Sequence, residues 1–364
     1  MVARVQVKAR TVPVMQAAPL PVSHAAAFWG IAGLLFFTPF FRGLFFPPEQ
    51  ERALIVGALA FLLVYLGRWL RRKTRFFEHP LDYLILGLPA IYVLSSFVAV
   101  NKGLAVNEIV KASLYFAVFW AVSRLTTNEE IIRRLLCVIW ASGVLVALAG
   151  LATATEIIFI RDGFLGGRIY SSFQYPNALA NYLLCVLILG VYLWVNVLGR
   201  GAGIKEVWPS APAFLERLSP LSYLFGTGNF LLACVFWGAK SNGGILTLLV
   251  VGPLLLLGVP REKRLPLFLH GLQVGLPGLL AALGFVSQAT AKNYDLAWLI
   301  VFLGLAAAVG LQAAYDLAVK GRWHRKIKVP PWMLCSSGAV LAAGTAVAFA
   351  LRPELWQKFL VLIH

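Results

Sequence analysis

The sequence predicts an all-α fold, a polytopic integral membrane protein of about eleven transmembrane helices, on three observations. Of the 364 residues 60% are hydrophobic and 13% charged, about half the charged share of a soluble domain, and mean hydropathy is +0.80. The chain divides into apolar stretches close to the roughly 20 residues an α-helix needs to cross a bilayer. The segments between those stretches alternate, without a break, between basic and nearly neutral. Residues 1–24, 68–75, 124–134, 199–221, 261–264 and 320–328 hold 22 of the 32 Lys and Arg. Positive segments stay cytoplasmic, so the N-terminus is expected inside and the C-terminus outside.

In chain order, residues 1–24 read as a basic cytoplasmic tail carrying Arg4, Lys8 and Arg10 before an Ala- and Pro-rich run. No cleavage region follows the first apolar run, so the first helix is expected to be retained. The spans are expected at 25–41, 52–70, 81–100, 106–124, 131–153, 177–198, 222–239, 243–259, 265–286, 294–318 and 332–350. Helix is the only sensible state for them, because an isolated strand cannot satisfy its backbone in lipid. The first span ends in Phe36-Phe37-Thr38-Pro39-Phe40-Phe41, read as a Pro-kinked end with lipid-facing aromatics. Basic segments part the second span from the third, the fourth from the fifth, the sixth from the seventh, the eighth from the ninth and the tenth from the eleventh. Between the others lie the outer segments, with Arg42, Arg52, Lys102, Lys111, Arg161, Arg168, Lys240 and Lys292. Gly243 and Gly244 read as a site of close helix contact. One membrane domain, 25–350, is expected, followed by a short external tail, 351–364.

Charge and cysteine usage exclude several classes. Of the net +17, the inner segments carry +14 and the outer ones +3, which topology and anionic inner-leaflet lipid explain without nucleic acid. Cys137, Cys185, Cys234 and Cys335 sit inside apolar runs with no CxxC spacing and no paired His, so no metal site or disulfide framework is indicated. Asp82, Glu108, Lys111, Glu156 and Asp316 fall near span ends, where snorkelling or interfacial pairing accounts for them. Few ionisable groups are thus expected deep in the membrane, which counts against an ion-coupled transporter. No phosphate-binding Walker loop is present, and no cofactor is expected.

Polar chemistry concentrates in the long outer segment 154–176. Gly163, Gly166 and Gly167 loosen it, and Arg168-Ile-Tyr-Ser-Ser-Phe-Gln-Tyr-Pro-Asn leads into the sixth span. Pro176 fits the first turn of a helix, where its missing N–H costs nothing. That helix opens on the outer face with its positive dipole end, a ready anion site. Arg168 just before it adds a guanidinium fork that matches phosphate oxygens. The plainer alternative is that Arg168 anchors the loop to lipid phosphates.

This run resembles the external-loop motif of the O-antigen ligase and polymerase family, on Arg168, Phe173, Pro176, Asn177 and Ala180. His79-Pro-Leu-Asp through Leu94-Ser-Ser-Phe and Asn101, and Trp237-Gly-Ala-Lys-Ser-Asn-Gly-Gly, resemble two further family stretches. The resemblance implies a metal-independent membrane glycosyltransferase of a bacterial plasma membrane. Its donor would be a polyprenyl-diphosphate-linked glycan and its acceptor a sugar, joined at the outer face. By that resemblance Arg168, Arg161 and Lys240 bind the diphosphate. Tyr170 stacks on or bonds a sugar, and Asn177 bonds the substrate or the helix end. Asn242 stands where the family turn has Arg, with Lys240 two residues earlier as the cation. The family's base is a His in a late external loop, and of the five histidines only His364 falls outside, so no catalytic residue is assigned. The sequence is therefore expected to need that loop from a longer chain or a separate partner. A transporter or flippase of lipid-linked sugars, and a non-catalytic subunit, remain open.

Overall fold

A computed structural model describes residues 22–71, 75–198 and 221–320. The eleventh expected span, the tails before 22 and after 350, and the inner segment 199–220 with Trp208 lie outside the described residues, as do Cys335 and His364. Among the described residues the chain forms ten helices: α1 Val22–Phe37, α2 Pro47–Trp69, α3 Pro80–Ser96, α4 Lys102–Leu125, α5 Glu129–Ala154, α6 Pro176–Leu198, α7 Leu221–Gly238, α8 Asn242–Gly258, α9 Arg261–Thr290 and α10 Tyr294–Lys320. They fall on the first ten expected spans. Seven are long and apolar enough to cross a membrane, and α3 and α8 are shorter apolar helices. The chain is an all-α, multi-pass membrane protein at that level of description. Between α5 and α6 two short strands, β1 Phe164–Leu165 and β2 Arg168–Ile169, pair antiparallel.

The contacts divide the chain into two compact units. The first comprises Met1–Ile31 and Leu54–Leu125. Here the start of α3 is locked to the end of α4. Arg124 donates to both carboxylate oxygens of Asp82, at 2.7 and 2.5 Å, and each side chain is about 1% exposed. Asp82 also accepts the backbone N–H of Glu78 and His79 at 2.8 and 3.0 Å. Arg124 lies 4.6 Å over the Trp120 ring and, like the Trp120 indole, donates to Phe76 O. A carboxylate at a helix start and a guanidinium at a helix end also suit the helix dipoles. The pairing expected of Asp82 near a span end is present, and it is fully buried.

The second unit comprises Ala32–Ala53 and Thr126–His364. At its centre is α7, whose Phe230, Leu232, Cys234 and Val235 are fully buried and which packs on α5, α6, α9 and α10. At Gly278 of α9 an added Cβ would stand 2.9 Å from Ala233 Cβ and 3.1 Å from the Cys234 nitrogen, the small-residue packing that lets membrane helices approach. On α10, Leu296, Leu299, Phe302 and Leu303 are exposed, so the apolar face points outward where lipid would cover it. Cys234 is buried and Cys137 half-buried, but Cys185 is exposed on α6.

The interior is more polar than the sequence suggests. His270 is fully buried, ten residues into α9, and stacks at 3.7 Å on Trp194 of α6. Its Nε2 lies 3.0 Å from Asn229 of α7, which accepts from the Trp140 indole of α5 at 2.9 Å. Gln312 of α10 accepts from Trp194 and from Gln273 at 3.1 and 2.9 Å. Five helices thus contribute to two hydrogen-bonded sets, joined where His270 stacks on Trp194, in a setting where lipid offers no partner to an open polar group. The expected span 265–286 puts His270 in the early part of its helix, whereas α9 begins at Arg261 and holds it buried.

Several turns gather at one end of this unit. Of the aromatics expected to face lipid, Phe37 and Phe41 are exposed and Phe40 is turned inward. Phe36 O accepts from Ser142 at 2.6 Å, and Phe40 packs on the core in a short 3-10 turn, Thr38–Phe40. Ser172 donates to Pro39 O at 2.8 Å, tying the turn after α1 to the segment between α5 and α6. That segment in turn meets the α7–α8 turn through Arg168 and the end of α9 at Gly167 and Thr290. All four turns belong to the set expected on the outer side.

Candidate functional site

The site is built on the β1–β2 hairpin. Leu165 pairs with Arg168 and Phe164 with Ile169, leaving Gly166 and Gly167 as the two turn residues, with φ of +57° and +66°. Positive φ at both central positions is the mirror-image hairpin turn that glycine pairs favour. The expected loosening role of these glycines is therefore corrected, because they make a tight turn that aims the next residue. Gly163 N donates to Ile160 O, and Gly163 O accepts from Tyr170 and Ser171. Ile169 is fully buried. It fills the space over two glycines, since a Cβ on Gly150 or Gly238 would come within 2.8 and 2.7 Å of it.

With Ile169 pinned, Arg168 lies beside the end of α7. Its Nε donates to Ala239 O at 3.0 Å, and among the described residues its two terminal nitrogens make no hydrogen bond, which leaves up to four donors for a ligand. Tyr170 lies under it, with the guanidinium carbon 5.9 Å from the ring centre. The tyrosine thus lies against Arg168, beside the position where a sugar contact through its ring or hydroxyl is expected. Lys240 follows Ala239 with φ of +47°. Its ammonium would stand 3.9 Å from a Cβ placed on Gly167, one residue from Arg168.

The next residues bring two helix starts together. Ser241 caps α8 by accepting from Gly244 N at 3.1 Å, the role hydroxyl residues play at helix N-termini. The same hydroxyl donates to Asn177 Oδ1 at 2.9 Å. Asn177 is the second residue of α6, which begins at Pro176 as expected, and its Nδ2 donates to the Tyr175 hydroxyl at 3.2 Å. Gly244 keeps α8 close to α6, because a Cβ there would lie 2.9 Å from Ala180 Cβ. The positive ends of α6 and α8 therefore converge beside Arg168 and Lys240, an arrangement that favours an anion. Asn177 positions the helices, and Asn242 is exposed in the first turn of α8. Arg161 shares no hydrogen bond or ion pair with this group. Its side chain is 83% exposed and lies 3.7 Å from Asp162.

Two hollows adjoin the cations. A cleft of about 680 Å³ lies between the end of α5, residues 156–167 and the α9–α10 turn. An apolar groove of about 230 Å³ runs along α6 to α9, from Trp237, one turn before Lys240, to Leu267. Thr290 and the α9–α10 turn were not singled out from the sequence, and Ser241 entered only as part of the stretch Trp237 to Gly244. Only the hydroxyl before a helix start at Ser241 could have signalled its role.

No protein-family model, curated protein or solved structure matches the chain.

Proposed function

We propose that this chain handles polyprenyl-diphosphate-linked glycan at the outer face of a bacterial plasma membrane and passes the glycan to a sugar acceptor, as the O-antigen ligase and polymerase family it resembles does. The proposed topology has about eleven helices with the N-terminus inside and the C-terminus outside, following the charge asymmetry of the segments. One observation carries the reading. Arg168 and Lys240 meet the N-termini of α6 and α8, next to an apolar groove whose walls include Leu184, Ile188, Phe236 and Leu256. A diphosphate on an isoprenoid chain is a ligand with those two parts.

In the proposed transfer, the acceptor hydroxyl oxygen attacks the anomeric carbon and the bond from that carbon to the diphosphate oxygen breaks. The electron pair leaves on the diphosphate, where fixed positive charge lowers the barrier. The hydroxyl proton passes to a base not assigned among the described residues. The test is reconstitution of the full chain in proteoliposomes with a lipid-linked oligosaccharide and a sugar acceptor. Transfer that Arg168→Ala abolishes, with the protein still folded and inserted, supports the proposal. Movement of unaltered lipid-linked sugar across the bilayer would replace it with transport, and transfer undiminished in Arg168→Ala would refute the role given to Arg168.

A further inference from the structure

We infer that the cleft beside the hairpin is a saccharide site that takes a neutral pyranose unit, held end-on to the cations at Arg168 and Lys240. This rests on the proposed function and deepens it by naming the acceptor-side pocket. The lining combines the two kinds of surface that a sugar ring presents. Thr153, Glu156, Asp162, Thr290, Lys292 and Tyr294 supply hydroxyl, carboxylate and ammonium groups that match a rim of hydroxyls. Phe159 and Phe164 supply flat apolar surface for a C–H face, and Phe159 is 93% exposed at the mouth. The volume lies within the range of small-molecule sites, about 300–1,000 Å³.

The charges argue for a neutral occupant. Lys292 Nζ lies 3.6 Å from Glu156 Oε1, and Asp162 lies 3.7 Å from Arg161. The acids and bases cancel in pairs, so the cleft offers neither an anion nor a cation a net attraction, while each group still serves as a strong hydrogen-bond partner. Position gives the role. Gly166 and Gly167 form one edge of the cleft, and Arg168 follows directly, so a sugar in the cleft abuts the diphosphate position.

Backbone conformation makes the test clean. Glu156, Asp162 and Lys292 all have positive φ, at 59°, 56° and 60°, a region that costs a side-chain-bearing residue free energy and glycine none. Glycine at these positions removes the ligand contact and relieves the backbone, so loss of binding cannot be put down to unfolding. The full chain in lipid nanodiscs would be probed by saturation-transfer NMR with N-acetylglucosamine, and separately by titration with inorganic pyrophosphate. The expected result is saturation of the sugar that falls about fivefold in Glu156→Gly and in Lys292→Gly, a modest figure because the pair is exposed. The thermal midpoint should not fall in either variant, and pyrophosphate binding should be unchanged in both. The inference is overturned if the wild-type chain does not saturate the sugar, if both glycine variants saturate it as well as wild type, or if pyrophosphate displaces it from the cleft. Sugar binding that survives while pyrophosphate fails to bind would sink the diphosphate reading alone, and the reverse would sink the cleft alone.

Discussion

Replacing Asp82 with alanine takes the carboxylate out of the α3–α4 lock and leaves Arg124 buried without its counter-charge. The lost interactions are two bonds from Arg124, at 2.7 and 2.5 Å, and the backbone N–H bonds from Glu78 and His79. Removing one member of a buried ion pair costs about 3–5 kcal/mol, chiefly because the survivor stays desolvated. Arg124 would keep Phe76 O and the Trp120 ring, which holds the cost towards the lower end. Two orphaned backbone donors add about 1 kcal/mol or more each. We therefore expect about 5 kcal/mol, read as the shift in denaturant unfolding of the full chain in mixed micelles. Asp82→Leu with Arg124→Met, which removes both charges, should recover most of the loss. A single substitution costing under about 1 kcal/mol, or a double variant as unstable as the sum of its parts, would refute this account of the lock.

Gly167→Ala should lower stability by about 1–2 kcal/mol through its +66° φ, and should weaken pyrophosphate binding because the hairpin no longer aims Arg168; thermal unfolding and titration read the two effects. His270→Phe should cost about 1–3 kcal/mol in thermal unfolding, since buried Asn229 loses its 3.0 Å partner. A cysteine at the exposed position Arg161, in a chain with its native cysteines replaced, should react with a membrane-impermeant maleimide added outside intact cells. Labelling only after permeabilisation would invert the proposed topology.

The helices were legible because each apolar run is bounded by charge, proline or glycine, as at Pro176, Arg261 and the Lys240–Asn242 turn. Their starts were less so. The first turn of α9 carries Arg261, Glu262, Lys263 and Arg264, which read as a loop although the helix continues through them. The convergence of residues 168–177 with 237–244 was implied only by the resemblance that put Arg168 and Lys240 on one diphosphate, since nothing local in either stretch reports a contact across more than 60 residues. Glycine pairs were read for freedom at 166–167, where the flanking Leu165 and Arg168 pair as strands too short to carry a periodic signal. The polar core escaped notice because Asn229, His270, Gln273 and Gln312 are single polar residues in four separate apolar runs, and only packing brings them together.

The most direct test of the central claim is the affinity of the full chain in nanodiscs for a short-chain polyprenyl diphosphate, against the matching monophosphate and alcohol. Anion binding by Arg168 and Lys240 predicts the order diphosphate, monophosphate, alcohol, with Arg168→Ala losing about tenfold or more for the diphosphate and little for the alcohol. Equal affinity for all three, or a diphosphate affinity untouched by Arg168→Ala, would contradict it.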